Sequence, residues 1–572
     1  MPDASPDASY NPESVIAAAR EGLVYLPLGG AGEIGMNMYL YGCKGKWIAI
    51  ECGITFGDDT TPGIDVMMAN PAFLESVKDC LLAIVLTHGH EDHQGGLGHL
   101  WPRLECPVYA TRFTAGLVRA RLAETGLAGV VPLHELDLKA EITLGPFKIR
   151  YVTVTHSILE PNALAIETPF GTLVHTGDWK LDPEPLIGEV TDEAQFRALG
   201  DKGVLAMICD STNVFNEGVS GSEATARKGL RDTISGFKNR VAVACFASNM
   251  ARVESIAKVA ADCGRHVALV GRSLWRMTQI ARDCGYLQGV PDFLTEHDCA
   301  HLPRSKALYI CTGSQGERRS ALARISSNDH ANVVLEEGDA VLFSSRTIPG
   351  NERPIYAMMD RLAQRGCIIV TGRDAPIHVS GHPARAELAE LYKWVRPTHS
   401  VPMHGESRHL LEHAAYVKTL GIKHAHVVTN GNALRLAPGA PKIVGQVPIG
   451  RLGLDGNRLV EVDEALLAPR RRAAVAGNAF VTVVIDDEGV LVADPEVSLT
   501  GIVANPIEER EAIAQAVDEI ERVMARPRGR KGKLKTKGSD LALDEEIRRA
   551  VRRGINRATG KKPVIAVHVI DV

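Results

Sequence analysis

Residues 86–96 read LTHGHEDHQGG, which places three histidines and two acids between His88 and His93. In this H-x-H-x-D-H spacing His88 and His90 can present imidazoles from a tight loop, while Asp92 and His93 point to a second locus a few ångströms away. That pattern suits two metals, and imidazole with carboxylate favours zinc, with manganese as the rival. A lone histidine is more often structural than a ligand, but such a cluster in one Gly-bounded loop is the signature of a site. The preceding run, LLAIVLTH, is apolar up to the first histidine, as expected of a buried strand that delivers its loop to a sheet edge.

Outward from this loop the chain divides into segments. At 572 residues, with 45% hydrophobic and 23% charged residues, it is too long for one core and reads as about three domains. From Leu23 strands and Gly-containing turns alternate, including FKIRYVTVTH, LAIETP and TLVHTGD. From about residue 203 short apolar strands (VLAMICD, RVAVACFAS, HVALVGRS, ALYICTGS, AVLFSS, CIIVTGR) alternate with helical stretches, the rhythm of a mostly parallel sheet. After THSVPMHGE come a helix, a strand HAHVVTNG and a Pro/Gly-containing stretch near 437–455; the remainder reads as a small α+β domain. GAGEIG at 30–35 matches a dinucleotide fingerprint, but the strand-like MNMYLYG follows where that motif requires a helix. The eleven cysteines form no C-x-x-C pair and read as buried thiols in a reducing compartment. No leader or membrane span is visible, so the expected location is the cytoplasm. Net charge is −5, yet residues 526–537, RPRGRKGKLKTK, carry seven positive charges and no negative ones, as a solvated loop or a contact for a phosphate backbone.

The histidine loop resembles the signature of the metallo-β-lactamase superfamily. On that resemblance His156 in VTVTHSI is the next ligand, Asp178 in VHTGDWK the aspartate that bridges both metals, and His404 in VPMHGE the last; His175 is the neighbour to distrust. His404 lies 226 residues after Asp178, so something domain-sized intervenes. The insertion resembles the β-CASP module of nucleic-acid-processing relatives through MICDST, FASN, GRS and HVSGH. Taken together, GGAGEIGMN, THGHEDHQGG, HTGDWK, CDST, CTGSQGE, IPGNE, HVSGH and PMHGE resemble the bacterial ribonuclease J family from about residue 24 onward.

The resemblance implies a metallo-β-lactamase αββα sandwich with an inserted β-CASP α/β domain and a small C-terminal α+β domain. The expected boundaries are a flexible tail at 1–20, the first part of the sandwich at 21–212, the β-CASP domain at 213–374, completion of the sandwich at 375–450, a linker at 451–464 and the C-terminal domain at 465–572. It further implies two divalent metals, one held by His88, His90, His156 and Asp178 and the other by Asp92, His93, Asp178 and His404. His382, supported by Asp210, is then the general acid or charge stabiliser at the leaving oxygen, with Asp92 also in the catalytic set. Ser248, Asn249, His378 and Ser380, with Arg272 beside them, are candidates for a 5′-phosphate pocket. Glu51 stands where the superfamily usually has aspartate; one methylene longer, it can still orient a ligand histidine. Asp65 and Asp455 resemble positions of a separate calcium-like site. The implied activity is hydrolysis of single-stranded RNA, 5′→3′ from 5′-monophosphate ends and internally, in RNA maturation and decay. The implied partners are a second copy or three further copies through the C-terminal domain, and RNA-decay machinery, with no membrane. The alternatives are a β-CASP nuclease acting on DNA or RNA 3′ ends, and a non-catalytic RNA-binding assembly subunit.

Overall fold

The computed structural model describes residues 11–348, 350–525 and 540–572; the basic run at 526–537 lies outside them. The chain forms two compact units, Met1–Thr55 with Met68–Gly450, and Phe56–Met67 with Arg451–Val572.

In the first unit two sheets face each other. One runs in the order Lys442–Gln446, Asn432–Ala437, Leu23–Gly29, Met38–Cys43, Lys46–Ile50, Leu81–Val85, Val108–Thr111, Leu133–Leu136. The other runs Glu141–Leu144, Phe147–Thr153, Asn162–Thr168, Gly171–His175, Ala206–Asp210, His399–Met403, His424–Ala425. Their inner faces share one core, in which Tyr25, Ile48 and Val85 of the first meet Ile149, Leu164, Ile208 and Val401 of the second. The outer face of the second sheet is covered by helices Glu193–Lys202, Arg385–Val395 and Ser407–Thr419 through Phe196, Leu199, Leu388, Leu391 and Val417. On the outside of the first, Val15 and Ala19 of helix Pro12–Glu21 are fully buried and Phe73 packs edge-on to Trp47. This is the expected αββα arrangement, in which each helix buries one stripe on a sheet face.

The insertion is a parallel five-stranded sheet in the order His266–Val270, Ala307–Cys311, Val241–Ala244, Ala340–Phe343, Ile368–Val370. Its alternating strands and helices follow the rhythm legible in the sequence. Arg252, fully buried, ties this domain together: its guanidinium donates to both Glu223 carboxylate oxygens at 3.0 Å, to Ser344 and to the Ile377 carbonyl. Replacing Arg252 by methionine leaves Glu223 as an unpaired buried carboxylate and is expected to cost about 3–5 kcal/mol of stability, read by chemical denaturation.

Strand order explains how distant residues meet. Ala206–Asp210 pairs in parallel with Gly171–His175 on one side and His399–Met403 on the other. The loop bearing Asp178, the strand end at Asp210 and the turn at His404 therefore emerge side by side at one edge. In the facing sheet Lys46–Ile50 and Leu81–Val85 are likewise parallel, with Ile50 opposite Val85, which sends Glu51 and the His88 loop out together.

Three expectations are corrected. Residues 12–21 of the supposed tail form a helix capped by the Asn11 side chain. The strand expected in HAHVVTNG is only His424–Ala425, while Asn432–Ala437 and Lys442–Gln446 form a hairpin that runs into the Pro/Gly-containing stretch near 437–455. The supposed linker 451–464 holds a hairpin, Arg451–Asp455 with Arg458–Glu461, turned by Gly456 and Asn457, and its sheet also contains Val66–Ala69 and Ile54–Phe56. The two-residue Gly-containing turn is a hairpin signal that the Pro/Gly content of the surroundings obscured. GAGEIG leads into Ala31–Gly32 and Met38–Cys43, strands and not the helix that a dinucleotide motif requires, as read from MNMYLYG.

In the second unit the sheet Glu496–Thr500, Asn478–Ile485, Val564–Asp571 packs Val481 and Val483 against Ile520, Ile547, Val551 and Ile555 of two long helices, an α+β arrangement. Asp455 is engaged by the Arg470 guanidinium, which also reaches the Pro62 carbonyl. Among the described residues Asp65 and Asp455 join no group of three or more metal-type side chains.

Candidate metal centre

Helix Glu91–Gln94 starts directly after His90, so one short loop and the helical turn that follows it supply His88, His90, Asp92 and His93, with the His88 and His93 rings 4.0 Å apart. His88 Nε2 and His156 Nε2 each lie 3.1 Å from His90 Nδ1, and 3.8 and 3.7 Å from Asp178 Oδ2. On the other side, Asp178 Oδ2 is 3.2 Å from His93 Nε2, and Asp92 Oδ2 is 3.5 Å from His93 Nε2 and 3.3 Å from His404 Nε2. The two groups anticipated from the sequence, His88–His90–His156–Asp178 and Asp92–His93–Asp178–His404, thus converge, with Asp178 common to both.

The donor set fits metal. The hydroxyl of Thr87 donates to Glu51 Oε1, so it accepts from His88 Nδ1–H at 2.9 Å; the Gly381 carbonyl accepts from His156 Nδ1–H at 2.6 Å. Both rings therefore turn an unprotonated Nε2 inward, the tautomer a metal ligand needs. Burial holds His88 and His156 well below the ordinary imidazole range and brings His90 down to about 4. Burial also opposes the charges of Asp92 and Asp178, but the facing histidines outweigh it and hold both carboxyls well below the usual range. His404 Nε2 is buried without a hydrogen-bond partner, in front of Asp92.

Beside this cluster, His382 Nδ1–H donates to Asp210 Oδ2 at 2.8 Å, and Asp210 Oδ1 accepts from the Thr212 amide at 2.8 Å and hydroxyl at 2.7 Å. The His382 ring is 5.1 Å from that of His156 and 5.6 Å from that of His404, with its side chain 23% exposed where those of His156 and His404 are buried. Burial disfavours its charge, but Asp210 and Asp178 raise its pKa above the ordinary value.

Sequence profiles match four segments of this chain: "Beta-lactamase superfamily domain" over residues 47–197, "Ribonuclease J, beta-CASP domain" over 238–362, "Zn-dependent metallo-hydrolase RNA specificity domain" over 373–428 and "Ribonuclease J C-terminal domain" over 465–572. A "Ribonuclease J" of Sinorhizobium meliloti is 43% identical over 97% of this chain and 98% of its own. The chain belongs to the ribonuclease J family. Relatives of the same name from Corynebacterium glutamicum and Thermus thermophilus are 35% and 34% identical, over 97% and 96% of this chain and 77% and 95% of theirs.

Within this ribonuclease J-family chain the remaining predicted residues fall unevenly. Ser248 Oγ lies 3.1 Å from His90 Nε2, behind the metal loop. Asn249 caps helix Met250–Asp262, its Oδ1 accepting from the Arg252 amide and its Nδ2 donating to Glu223 at 3.3 Å. His378 lies beside Arg252, and Ser380 Oγ accepts from Asn213 and from the His382 amide. Arg272 opens helix Arg272–Asp283. His175 bonds Tyr41 in the core and joins none of the metal-type groups among the described residues.

Sequence reading missed Asn37, whose Nδ2 reaches the Asp92 carbonyl at 3.0 Å and His93 Nε2 at 3.1 Å; its position at the end of GGAGEIGMN was the available signal. It also missed Thr87 and Gly381. A Cβ on Gly381 would lie 2.9 Å from His156 Cε1, so only glycine lets this loop approach the ligand.

Glu51 has a clear place. Its carboxylate is 3.2 Å from His93 Nδ1 and takes the Thr87 amide at 3.3 Å and the Thr87 hydroxyl, which in turn holds His88. It thus backs one histidine of each group. It sits at φ 67°, a left-handed conformation rare for non-glycine residues and common at functional loops. Glu51→Ala is expected to weaken metal affinity about 10- to 100-fold, read by metal titration.

Proposed function

We propose that the chain is a two-metal ribonuclease that hydrolyses phosphodiester bonds of single-stranded RNA, 5′→3′ from 5′-monophosphate ends and also internally, in RNA maturation and decay. The observation that carries the reading is the pair of ligand groups sharing Asp178 with His382 beside them. His88, His90, His156 and Asp178 would hold one ion, and Asp92, His93, Asp178 and His404 the other. The imidazole-rich set favours zinc over manganese. Divalent ions bound there supply Lewis acidity, which eases deprotonation of water and offsets phosphate charge. The chain's own groups do the rest. Asp178 and Asp92 fix the histidines in register, Glu51 and Thr87 set ring orientation, and Ser248 backs His90. His382, with Nδ1–H on Asp210, offers Nε2 as the atom that delivers a proton to the leaving 3′-oxygen.

For the terminal phosphate we propose a pocket on the HVSGH side, with His378 and Ser380 as donors and Ser248 between it and the metals. Since the Asn249 amide is committed to the helix cap, that residue would shape the pocket without binding in it. The C-terminal domain is proposed as the surface for homodimer or homotetramer assembly. Phe480 and Ile570, both about half exposed on the sheet face away from its helices, support this. No helix among the described residues is long and apolar enough to cross a membrane, which is compatible with the proposed cytoplasmic location.

The test uses one RNA with 5′-monophosphate, 5′-triphosphate or 5′-hydroxyl, labelled at either end, beside its DNA equivalent. Mononucleotides released from the 5′-monophosphate RNA are expected. Release from the 3′ end, or equal cleavage of DNA, would overturn the substrate assignment; no cleavage despite two bound metals would point to an RNA-binding subunit.

A further inference from the structure

The loop that carries His382 is fixed from outside the metal cluster. Asn213, 3% exposed, directs both hydrogens of its amide into that loop, to the His382 carbonyl at 2.9 Å and to Ser380 Oγ at 2.7 Å. Ser380 Oγ in turn accepts from the His382 amide at 3.2 Å. The peptide groups on both sides of His382 are thus held by one side chain, while Asp210 holds its ring. Asn213 lies three residues beyond Asp210 on the same turn, so ring and backbone are anchored from one rigid segment.

The orientation of the Asn213 amide is itself dictated. Arg346 Nη1 donates to Asn213 Oδ1 at 2.8 Å, and a guanidinium has only donors, so the amide oxygen must face it and the NH₂ must face the His382 loop. Arg346 is placed by Gln315, whose Nε2 donates to the Arg346 carbonyl at 2.8 Å and whose Oε1 accepts from the Ile348 amide at 2.9 Å. Gln315 and Ile348 belong to CTGSQGE and IPGNE, two motifs that neither metal binding nor proton transfer uses. Through them a surface loop of the inserted domain is tied to the residue assigned the proton.

We propose that Asn213 is a positioning residue for His382, oriented by Arg346, so that the 345–348 loop of the inserted domain sets the aim of His382 Nε2 at the leaving oxygen. The inference rests on the assignment of His382 as proton donor. Because misplacement of a catalytic group by about 1 Å can cost about 10²-fold, loss of the two anchoring bonds should appear in turnover, and that loss should depend on the presence of His382.

The experiment is a double-mutant cycle on the full-length, metal-loaded protein with 5′-monophosphorylated RNA, reading kcat, KM and bound metal. Asn213→Asp keeps the shape and the Arg346 contact but removes both donors. It is expected to lower kcat about 10- to 100-fold with metal content held, while any change in KM transmitted through Ser380 should be the same in the His382→Ala background. In a His382→Ala background the same change should cost less than about twofold, because the residue it aims is gone. Arg346→Ala, an exposed position that the fold tolerates, should lower kcat about fivefold in the wild-type background and leave it unchanged in His382→Ala. Equal losses in both backgrounds, or losses that track metal content, would overturn the proposal. If His382→Ala is costly but Asn213→Asp and Arg346→Ala are neutral, only the positioning role fails. If His382→Ala is itself neutral, the proton-donor assignment fails and takes this inference with it.

Discussion

Replacing Asp178 by alanine is expected to empty both metal positions and to lower turnover by on the order of 10³-fold or more. Deleting a single stabilising donor at a reacting centre costs about 10²–10³-fold, and Asp178 serves two groups at once. Its Oδ2 lies 3.2 Å from His93 Nε2 on one side and 3.7 Å from His156 Nε2 on the other. No other side chain belongs to both of the proposed ligand sets. His90→Ala, which touches one group only, should by contrast leave one ion bound. The measurement is metal content per chain after dialysis, alongside cleavage of 5′-monophosphorylated RNA. An Asp178→Ala protein that retained both ions would show that the two groups do not depend on a shared carboxylate.

His382→Ala should behave oppositely in metal content. Its ring lies beside the cluster and its Nδ1 is committed to Asp210, so removing it leaves both ligand sets intact. Turnover is expected to fall about 10²–10⁴-fold, the range for loss of a positioned general acid, with metal content unchanged. The pH dependence follows with a definite sign. Without metal, burial works against the imidazolium but Asp210 and Asp178 raise the His382 pKa above the ordinary value; with Asp178 engaged by metal, the hydrogen bond to Asp210 is what continues to favour the protonated donor. A general acid must be protonated to act, so wild-type kcat should decline as pH rises through the His382 pKa, and this alkaline decline should be missing in His382→Ala. Loss of metal in the variant, or an unchanged alkaline limb, would remove His382 from the proton-transfer role.

Much of the site was legible because its chemistry is written in short, strongly typed motifs. His88, His90, Asp92 and His93 lie within six residues, and metal ligation leaves few other reasons for that density. His404 was reachable only through the family pattern, since nothing local marks a histidine 226 residues beyond Asp178 as its neighbour. What unites them is the parallel pairing of Ala206–Asp210 with the strands on either side, a long-range register that local periodicity does not encode. The residues behind the ligands were largely hidden for a similar reason. Thr87, Asn37 and Asn213 are small polar residues whose ordinary use is to cap turns, and only the folded geometry shows which amide or ring each one meets. The errors in the fold arose where Gly and Pro masked strands, at Lys442–Gln446 and at the Arg451–Asp455 hairpin, because weak alternation around glycine resembles a loop in sequence and becomes a strand only when a neighbouring edge accepts it.

In the proposed centre one aspartate joins two metal positions where the strand ends of the two sheets emerge. Anomalous scattering from crystals of the metal-loaded protein reads this directly. Two peaks are expected, one enclosed by His88, His90, His156 and Asp178 and the other by Asp92, His93, Asp178 and His404. A single peak, or none, in crystals whose dissolved protein still cleaves RNA would contradict it.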